Sequence, residues 1–554
     1  MSGLIEQIRK SVIGEDAAIA TAFGNKPLVY ADYTASGRSL GMIEDYIRAQ
    51  VLPYYANTHT ETSYTGAQTT ALREQARQII RSSVNANGEH SVIFSGSGAT
   101  SAIHKLIDIL NLKLPADLSE RYKFEQQIPA AERPVVFIGP YEHHSNELPW
   151  RESIADVVSI PLCERGQVCL DALEEQLSKY SDRPLKIGSF SAASNVTGVK
   201  TDVEAVARLL HKHNALSFWD YAAAGPYVGI DMAGHQDDGG DSSKDAIFLS
   251  PHKFVGGPGT PGVLIVKDEI LKNRVPAMPG GGTVMYVTPQ DHRYVADAER
   301  REEGGTPAIV ESVRAGLVFK LQQAVGTDEI ERREEDFVSR ALTRWSKCQN
   351  IEVLGNSDAP RLSITSLKIT HDGKDLHYSF VVALLNDLFG IQARGGCSCA
   401  GPYGHTLLGM DMPYSKALEE QLVEGHMILR PGWIRLNFNY FIDDETFEYL
   451  VRAIELVAEH GWKLLPFYRF DTNGSVWRYQ NHKTELAASL NTLDFSAKSA
   501  AFVQPERPTL GETLKAAEAE LLRTHRTEQR YDVIQPEKVE ELRWFVRPQD
   551  VAVA

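Results

Sequence analysis

Ser250-Pro251-His252-Lys253 and Asp220 are the residues of this chain best suited to covalent chemistry. Lys253 follows the apolar run Ala246-Ile247-Phe248-Leu249 and precedes a glycine-rich turn from Gly256 to Gly262. A lysine amine at a strand end, with a hydroxyl and an imidazole just before it, can form a Schiff base with a carbonyl compound. Asp220 closes a second apolar run, Ala215-Leu216-Ser217-Phe218-Trp219. A carboxylate there can hold a pyridinium nitrogen protonated. Lysine plus aspartate is the pair that pyridoxal phosphate (PLP) requires of a protein. Most strand-end lysines are only solvated, so Lys253 gains its meaning from its neighbours.

Ser97-Gly98-Ala99-Thr100 ends a loop and opens a helix, where small residues let backbone amides approach a phosphate and the helix dipole favours it. An ordinary N-cap explains the same motif equally well. Ser250 and His252 add donors for such a phosphate, and Thr306, in Glu303-Gly304-Gly305-Thr306-Pro307, is one more. His143, in Tyr141-Glu142-His143-His144-Ser145-Asn146, can stack on a flat cofactor and pass protons; an isolated His-His pair is otherwise a surface loop. Asn195 can donate to a phenolate or a carboxylate, or simply make an Asx-turn. The run Arg394-Gly395-Gly396-Cys397-Ser398-Cys399 joins an arginine able to clamp a carboxylate bidentately to a cysteine on an accessible, glycine-flanked loop. Arg435 lies within a strand-like run and needs an anion, either a substrate carboxylate or a structural Asp or Glu.

The elements that must position these residues alternate. Strand-like runs at 92–94, 135–138, 185–190, 215–220 and 246–249 are separated by helical patterns, including Ala99 to Leu110. A helix opens at Thr201, with Glu204 completing a capping box. This predicts an α/β domain with a mostly parallel sheet, whose ligands sit at the carboxyl ends of the strands. Ser95 to Thr100, His143, Asn195, Asp220 and Lys253 all fall just after predicted strands. From about residue 310 two long helical patterns, Val310 to Ala324 and Asp328 to Ser346, lead into an α+β segment with strands at 362–369 and 433–438. Residues 1–30 read as an N-terminal helical segment and 31–310 as the large PLP-binding domain. Residues 311–466 read as a small α+β domain carrying the Arg394–Cys399 loop, and 467–554 as an extension. In the extension Thr509 and Glu512 form another capping box, and Leu510, Leu514, Ala517 and Leu521 make a stripe expected to pack on the body.

The chain has 554 residues, 43% of them apolar and 23% charged, enough for more than one domain around a large core. A net charge of −16 argues against general nucleic-acid binding. No apolar run approaches membrane-span length, and the N-terminus has no secretory h-region. Five cysteines, an odd number, do not make a disulfide framework in a chain this long, which suggests a reducing cytoplasm. The one-residue gap of Cys397-Ser398-Cys399 does not fit zinc spacing, and no metal is expected.

Together these motifs resemble class V (fold type I) PLP enzymes, the cysteine desulfurase branch above all, over roughly residues 25 to 460. Tyr30 to Ser36 looks like the family's Y-L-D-x-A-A-T segment and places Ala35 on the substrate side. Asn57-Thr58-His59 resembles the Asn-x-His stretch that places His59 there too. Ser97 to Thr100 matches S-G-A-T, with Ala99 and Thr100 on the phosphate. Glu142 to Asn146 resembles E-H-H-A-N, which puts His143 on the cofactor ring. Ser194-Asn195-Val196-Thr197-Gly198 resembles S-N-V-x-G, Asp220 matches the pyridinium partner, and Ser250-x-His252-Lys253 matches S-x-H-K. Glu303 to Pro307 resembles E-x-G-T-P, whose threonine reaches the neighbouring subunit's phosphate and so implies a homodimer with shared sites. The fold this implies is a seven-stranded, mostly parallel large-domain sheet with a smaller α+β domain.

The resemblance also places Cys399 at the persulfide-forming cysteine, Arg394 at the carboxylate clamp and Arg435 at the second family arginine. It implies removal of sulfur from L-cysteine, giving alanine and a Cys399 persulfide, with a protein sulfur acceptor as partner. Three features depart from the pattern. Ala223 stands where desulfurases carry glutamine, Cys397-Ser398 replaces the H-H before the cysteine, and an insertion at 234–241 lies between Asp220 and Lys253. Cys397 would either relay sulfur or pair with Cys399. An aminotransferase, β-lyase or epimerase of the same class is the rival reading, told apart by keto-acid-dependent amino transfer without sulfur release. A degenerate scaffold is a third, weakened by retention of both Lys253 and Asp220.

Overall fold

The computed structural model describes residues 2–58, 60–237, 239–480, 482, 488–495, 505–523 and 531–551. Its centre is a seven-stranded sheet. In chain order the strands are β1 (His90–Ser95), β2 (Val135–Ile138), β3 (Asp156–Ser159), β4 (Lys186–Ser191), β5 (Leu216–Asp220), β6 (Ala246–Leu249) and β7 (Gly262–Lys267). Across the sheet they run β1-β7-β6-β5-β4-β2-β3. All pairings are parallel except those of β7, which is antiparallel to both β6 and β1. Strands buried on both faces must be apolar nearly throughout, which explains the runs Val135-Val136-Phe137-Ile138 and Ala246-Ile247-Phe248-Leu249. The edge strand β3 is only half-buried.

The mixed direction has a local cause. After β6 the chain passes through a run of turns over 250–261, which opens with Pro251–Lys253, and returns as β7 with no crossover helix. A parallel continuation is made by a crossover, usually a helix, and this connection contains none. Lys253 is thereby pinned between two central strands.

A helix at the N-terminus, α1 (Ser2–Ser11), is followed by an antiparallel hairpin of Ala18–Thr21 with Gly24–Pro27. Helix α2 (Gly98–Ile109) follows β1, and α3 (Val203–Lys212) precedes β5. The predicted cap of α3 shifts by one residue. Asp202, not Thr201, is the N-cap, its carboxylate accepting from Ala205 N–H at 3.0 Å. Thr201 is turned inward, donating to the Ser191 carbonyl at 2.7 Å and paired with the Tyr141 hydroxyl. The interior use of its hydroxyl outweighs its capping propensity. The insertion at 234–241 carries a two-residue hairpin, Gln236–Asp237 with Gly240–Asp241.

Long helices α4 (Ile309–Val325) and α5 (Thr327–Trp345) lead to a second, five-stranded sheet. It is built from β8 (Ile351–Val353), β9 (Ile364–His371), β10 (Lys374–Asp375), β11 (Arg394–Gly396) and β12 (Trp433–Asn437). Strand β9 begins two residues later than the sequence predicts. Its neighbour is α6 (Tyr378–Phe389). Beyond it, β13 (Tyr468–Asp471) and β14 (Val476–Tyr479) form a hairpin, and α7 (Leu510–Leu522) packs on the helix Asp444–His460. The α7 capping box is present, Thr509 and Glu512 satisfying each other's N–H groups; such a cap stabilises a helix end by about 1 kcal/mol. Ala517 and Leu521 are buried, with Leu510 and Leu514 packed beside them. Among the described residues no helix is long and apolar enough to cross a membrane.

Candidate active site

One cavity of about 540 Å³ opens at the carboxyl ends of β4, β5 and β6. Its wall includes Ala35, Ala99, Thr100, His143, Asn195, Asp220, Ser250, His252, Lys253, Arg394 and Arg435, eleven residues singled out from the sequence. Three others stand elsewhere. Thr306 is exposed on the loop before α4 and does not line the cavity. Cys399 is exposed just outside it, next to Ser398, which does line it. His59 lies outside the described residues.

One wall is the start of α2. Its first-turn N–H groups have no partner within the helix, and Ser97 provides no side-chain cap. Ser250 Oγ accepts from Ala99 N–H at 2.8 Å and so ties this turn to the lysine loop. Gly98 has φ +59°, and a methyl there would sit 2.9 Å from Ser250 Oγ and 3.6 Å from His252 Nε2. Glycine thus keeps open a pocket floored by backbone amides and walled by Ser250 and His252. At Gly262, the first residue of β7, a side chain would collide with the Gly98 carbonyl. Thr100 Oγ1 and Ser145 Oγ lie 2.7 Å apart across the mouth.

Asp220 ends β5, buried, with Oδ1 accepting from Ala222 N–H at 2.8 Å. Burial raises its carboxyl above the usual range, while the Ala222 N–H and the Lys253 charge oppose the rise. Lys253 faces the cavity but is surrounded by protein. Loss of bulk water pushes its amine down to about 8, against the opposing pull of Asp220 and with help from Arg435 and Arg394. His143 is pushed down to about 3 and His252 to about 4, by burial first and the Lys253 charge second. Both rings are therefore neutral at physiological pH. Ser145 N–H donates to His143 Nδ1 at 3.1 Å, which leaves the ring proton on Nε2.

Beneath His143, Glu142 is fully enclosed. It accepts from Ser191 N–H at 2.9 Å, Ser191 Oγ at 2.6 Å and Asn146 Nδ2 at 2.7 Å. Burial raises its carboxyl to about 7, with those bonds opposing. It fastens the histidine loop to the end of β4.

For Arg435, the carboxylate partner in the structure is Asp32. Arg435 Nη2 donates to Asp32 Oδ1 at 3.0 Å and Nη1 to the Asn195 carbonyl at 3.0 Å. Arg394 approaches the other Asp32 oxygen through Nε at 3.4 Å and is half-exposed. Asp32 and the Glu142 carboxylate were not singled out from the sequence as site residues. The Tyr30 to Ser36 segment was the available signal for Asp32, and the E-H-H motif for Glu142. Ala223 lines the cavity, and no longer side chain stands in its place.

The cysteine turn is fastened over the same cavity by three hydrogen bonds. Asn195 Nδ2 donates to the Ser398 carbonyl at 2.8 Å, His144 N–H to the Cys399 carbonyl at 2.8 Å, and Gly401 N–H to His144 Nε2 at 3.0 Å. Ser398 Oγ, Thr34 Oγ1 and Arg435 Nε belong to cavity-lining residues, and each is buried with no partner among the described residues. Buried polar atoms are rarely left so in a finished site.

The Lys253 titration has a measurable consequence. A lysine whose amine is held below its ordinary 10.5 binds its proton more weakly folded than unfolded, so apo-protein stability rises as pH climbs from about 8 to 10.5. Only the neutral amine attacks a carbonyl. Incorporation of an aldehyde such as PLP into the apo-protein is expected to accelerate about tenfold per pH unit below 8 and to level off above it. Stopped-flow absorbance would follow this, and a flat profile between pH 6 and 8 would refute it.

Residues 29–440 match the family described as aminotransferase class-V. A probable cysteine desulfurase of Halalkalibacterium halodurans is 28% identical over 384 residues, spanning 68% of this chain and 85% of that protein. One from Staphylococcus epidermidis is 27% identical over 401 residues, spanning 71% and 88%. Among solved structures, an apo cysteine desulfurase from Thermococcus onnurineus superposes with a TM-score of 0.64 at 20% identity, covering 82% of this chain and 98% of that one. The Escherichia coli cysteine desulfurase CsdA superposes with a TM-score of 0.63 at 20% identity and the same coverage. These two likenesses establish a shared fold, the fold type I arrangement of a seven-stranded sheet beside a smaller α+β unit. With the family match running through most of its length, this chain belongs to the class V aminotransferases.

Proposed function

We propose that this protein is a PLP-dependent enzyme that removes sulfur from L-cysteine, leaving L-alanine and a persulfide on Cys399. The observation that carries the reading is a cysteine turn fastened by Asn195 and His144 over the cavity that holds Lys253 and Asp220. The relatives named probable cysteine desulfurase support it.

The lining suits PLP. The first turn of α2, with Thr100, Ser250 and His252, offers donors for the phosphate, and His143 offers a flat face for the ring. Asp220 offers a carboxylate for the ring nitrogen, and Lys253 an amine for the aldehyde. The unpartnered Ser398 Oγ and Thr34 Oγ1 are two further polar atoms awaiting a polar guest. When bound, PLP supplies an electron sink for bonds broken at the substrate's α and β carbons.

The chain's own contributions follow from the geometry. Arg394 binds the substrate carboxylate, with Ala35 and His59 as neighbours on the substrate side. Arg435, anchored by Asp32 and the Asn195 carbonyl, sets the electrostatic field there and orients Asn195. His143 presents Nε2–H toward the cavity. Lys253 takes and returns protons, its amine poised near neutrality as such work requires. Cys399 supplies the thiolate that attacks the substrate sulfur. It stands outside the cavity, so the turn must swing inward, breaking its bonds to Asn195 and His144.

The site is shared in a homodimer on this reading. Support comes from Thr306, exposed and outside its own cavity, and from exposed Met278, Met285, Tyr286 and Val287 in the segment that precedes it. The protein works in the cytoplasm and passes its sulfur to a protein acceptor.

The test is purified, PLP-loaded protein with L-cysteine and a reductant. Alanine and sulfide are expected in equal amounts. Amino transfer to a keto acid with no sulfur released would overturn the reading in favour of an aminotransferase.

A further inference from the structure

The function above uses Cys399 and leaves Cys397 without a task, although the two share one turn. Ala400 N–H donates to the Cys397 carbonyl at 3.2 Å, and the two residues between, Ser398 and Cys399, have φ of 54° and 56°. Positive φ at both central positions is the pattern of a type I′ turn. Non-glycine residues in that region cost about 1–2 kcal/mol each. The three bonds from Asn195, His144 and Gly401 hold the turn there.

The turn gives its two thiols different surroundings. Cys399 is exposed at the tip. Cys397, directly after β11, is half-buried and packs against the core. Arg430 Nη2 lies 3.9 Å from Cys397 Sγ and is directed at it. Among the described residues Arg430 has no carboxylate within 4.0 Å, so its charge is not spent in an ion pair.

Arg430 is aimed by the C-terminal extension. It follows the turn Met427–Leu429, and the Leu429 carbonyl accepts from Trp544 Nε1 at 2.9 Å. The Trp544 ring is stacked on His377, 5.2 Å between centroids, and on Tyr378 at 6.2 Å and 7°. His377 Nδ1 accepts from Ser379 N–H, so Nε2 carries the proton and donates to the Ile428 carbonyl at 3.2 Å. Tyr378 in turn packs against Gly395 of β11, the strand that delivers Cys397. Residues beyond 440, outside the family match, thus buttress both the sulfur and the cation beside it.

We propose that Cys397 is a second sulfur carrier, which takes the sulfane sulfur from Cys399 and holds it beside Arg430 for the next acceptor. This rests on the desulfurase reading. The Cys397 thiolate attacks the outer sulfur of the Cys399 persulfide. A bond forms from Cys397 Sγ to that sulfur, the bond from it to Cys399 Sγ breaks, and Cys399 leaves as thiolate. The moving sulfur keeps its proton and oxidation state, so no outside oxidant or reductant is required. Residues two apart have Cα atoms within about 7 Å even in extended chain, close to the range that sulfur–sulfur bonding spans, and a tight turn shortens this. The transfer frees Cys399 to swing back into the cavity. It also moves the sulfur to a site where, once the new persulfide has released its proton to solvent, a guanidinium receives the resulting negative charge.

The experiment is a single turnover of PLP-loaded protein with stoichiometric L-cysteine and no reductant. Alanine is quantified, and the sulfane sulfur is located by alkylation and fragment-ion mass spectrometry. In wild type most of the sulfur is expected on Cys397 once alanine has formed. In Arg430→Gln the Cys397 share should fall at least twofold. In Cys397→Ser alanine forms and the sulfur stays on Cys399. Cys399→Ser should form neither alanine nor a Cys397 persulfide. Alanine formed with sulfur on Cys399 alone would overturn the second carrier and leave the desulfurase reading standing. A Cys397–Cys399 disulfide with free sulfide, or sulfur on Cys397 in Cys399→Ser, would overturn it as well. Wild type yielding no alanine would sink the desulfurase reading itself, and this step with it.

Discussion

Lys253→Met is expected to lower L-cysteine turnover by about a thousandfold or more, roughly 4 kcal/mol of barrier, and to abolish the visible absorbance of lysine-bound cofactor. Lys253 stands on the turn between β6 and β7, and it is the only lysine among the described cavity-lining residues. No neighbouring amine can substitute for it. The methionine keeps the length of the side chain and removes the charge. An enclosed ammonium pushed down to about 8 is still mostly protonated at pH 7 and carries an unfavourable desolvation cost. The apo variant should therefore melt no earlier than wild type, so lost activity cannot be laid to lost fold. Calorimetry and absorbance check the two halves separately. Retained lysine-type absorbance in the variant would refute the assignment.

Cys399→Ser is expected to bring the second large loss, again about a thousandfold in alanine formation, with substrate binding intact. The thiolate is the nucleophile, and a hydroxyl of ordinary pKa cannot replace it. Cys399 points to solvent and its carbonyl, not its side chain, is held by His144, so the substitution disturbs no packing. The spectral change on adding L-cysteine should persist while alanine fails to accumulate. Wild-type turnover would assign the attack to another group.

Much of this site was legible in the sequence because its parts sit at ends of strands buried on both faces. Val135–Ile138 and Ala246–Leu249 could be bounded to the residue, since an all-apolar run stops where the sheet stops. Asp220 and Lys253 then mark themselves as polar residues at those ends. What stayed hidden depends on partners distant in the chain. Asp32 meets Arg435 across 403 positions, and nothing local to either predicts the other. The strand Gly262–Lys267 was not read from the sequence, where Gly262 counts only as the end of a glycine-rich turn, and its antiparallel direction follows from the helix-free connection before it rather than from its own residues. Thr201 and Asp202 are both good caps, and only the buried bond to Ser191 decides between them. The role of the extension was illegible for the same reason, since Trp544 acts through His377, Tyr378 and Leu429.

Strand β7 also bears on how the molecule is made. It is the sole bridge between β1, which leads into the phosphate-side helix, and β6, which leads into the lysine. Its hydrogen bonds to β1 join segments separated by nearly the whole parallel sheet in sequence. Such non-local pairing closes a long loop before any contact repays it, and chains built this way fold slowly. On the ribosome, β1 to β5 emerge with one flank of the future sheet unpaired, exposed to wrong strand partners until residue 267 has been synthesised. The phosphate-side helix and the lysine loop therefore meet only once β7 has paired with both β1 and β6, and Arg394 and Arg435 join the cavity wall later still.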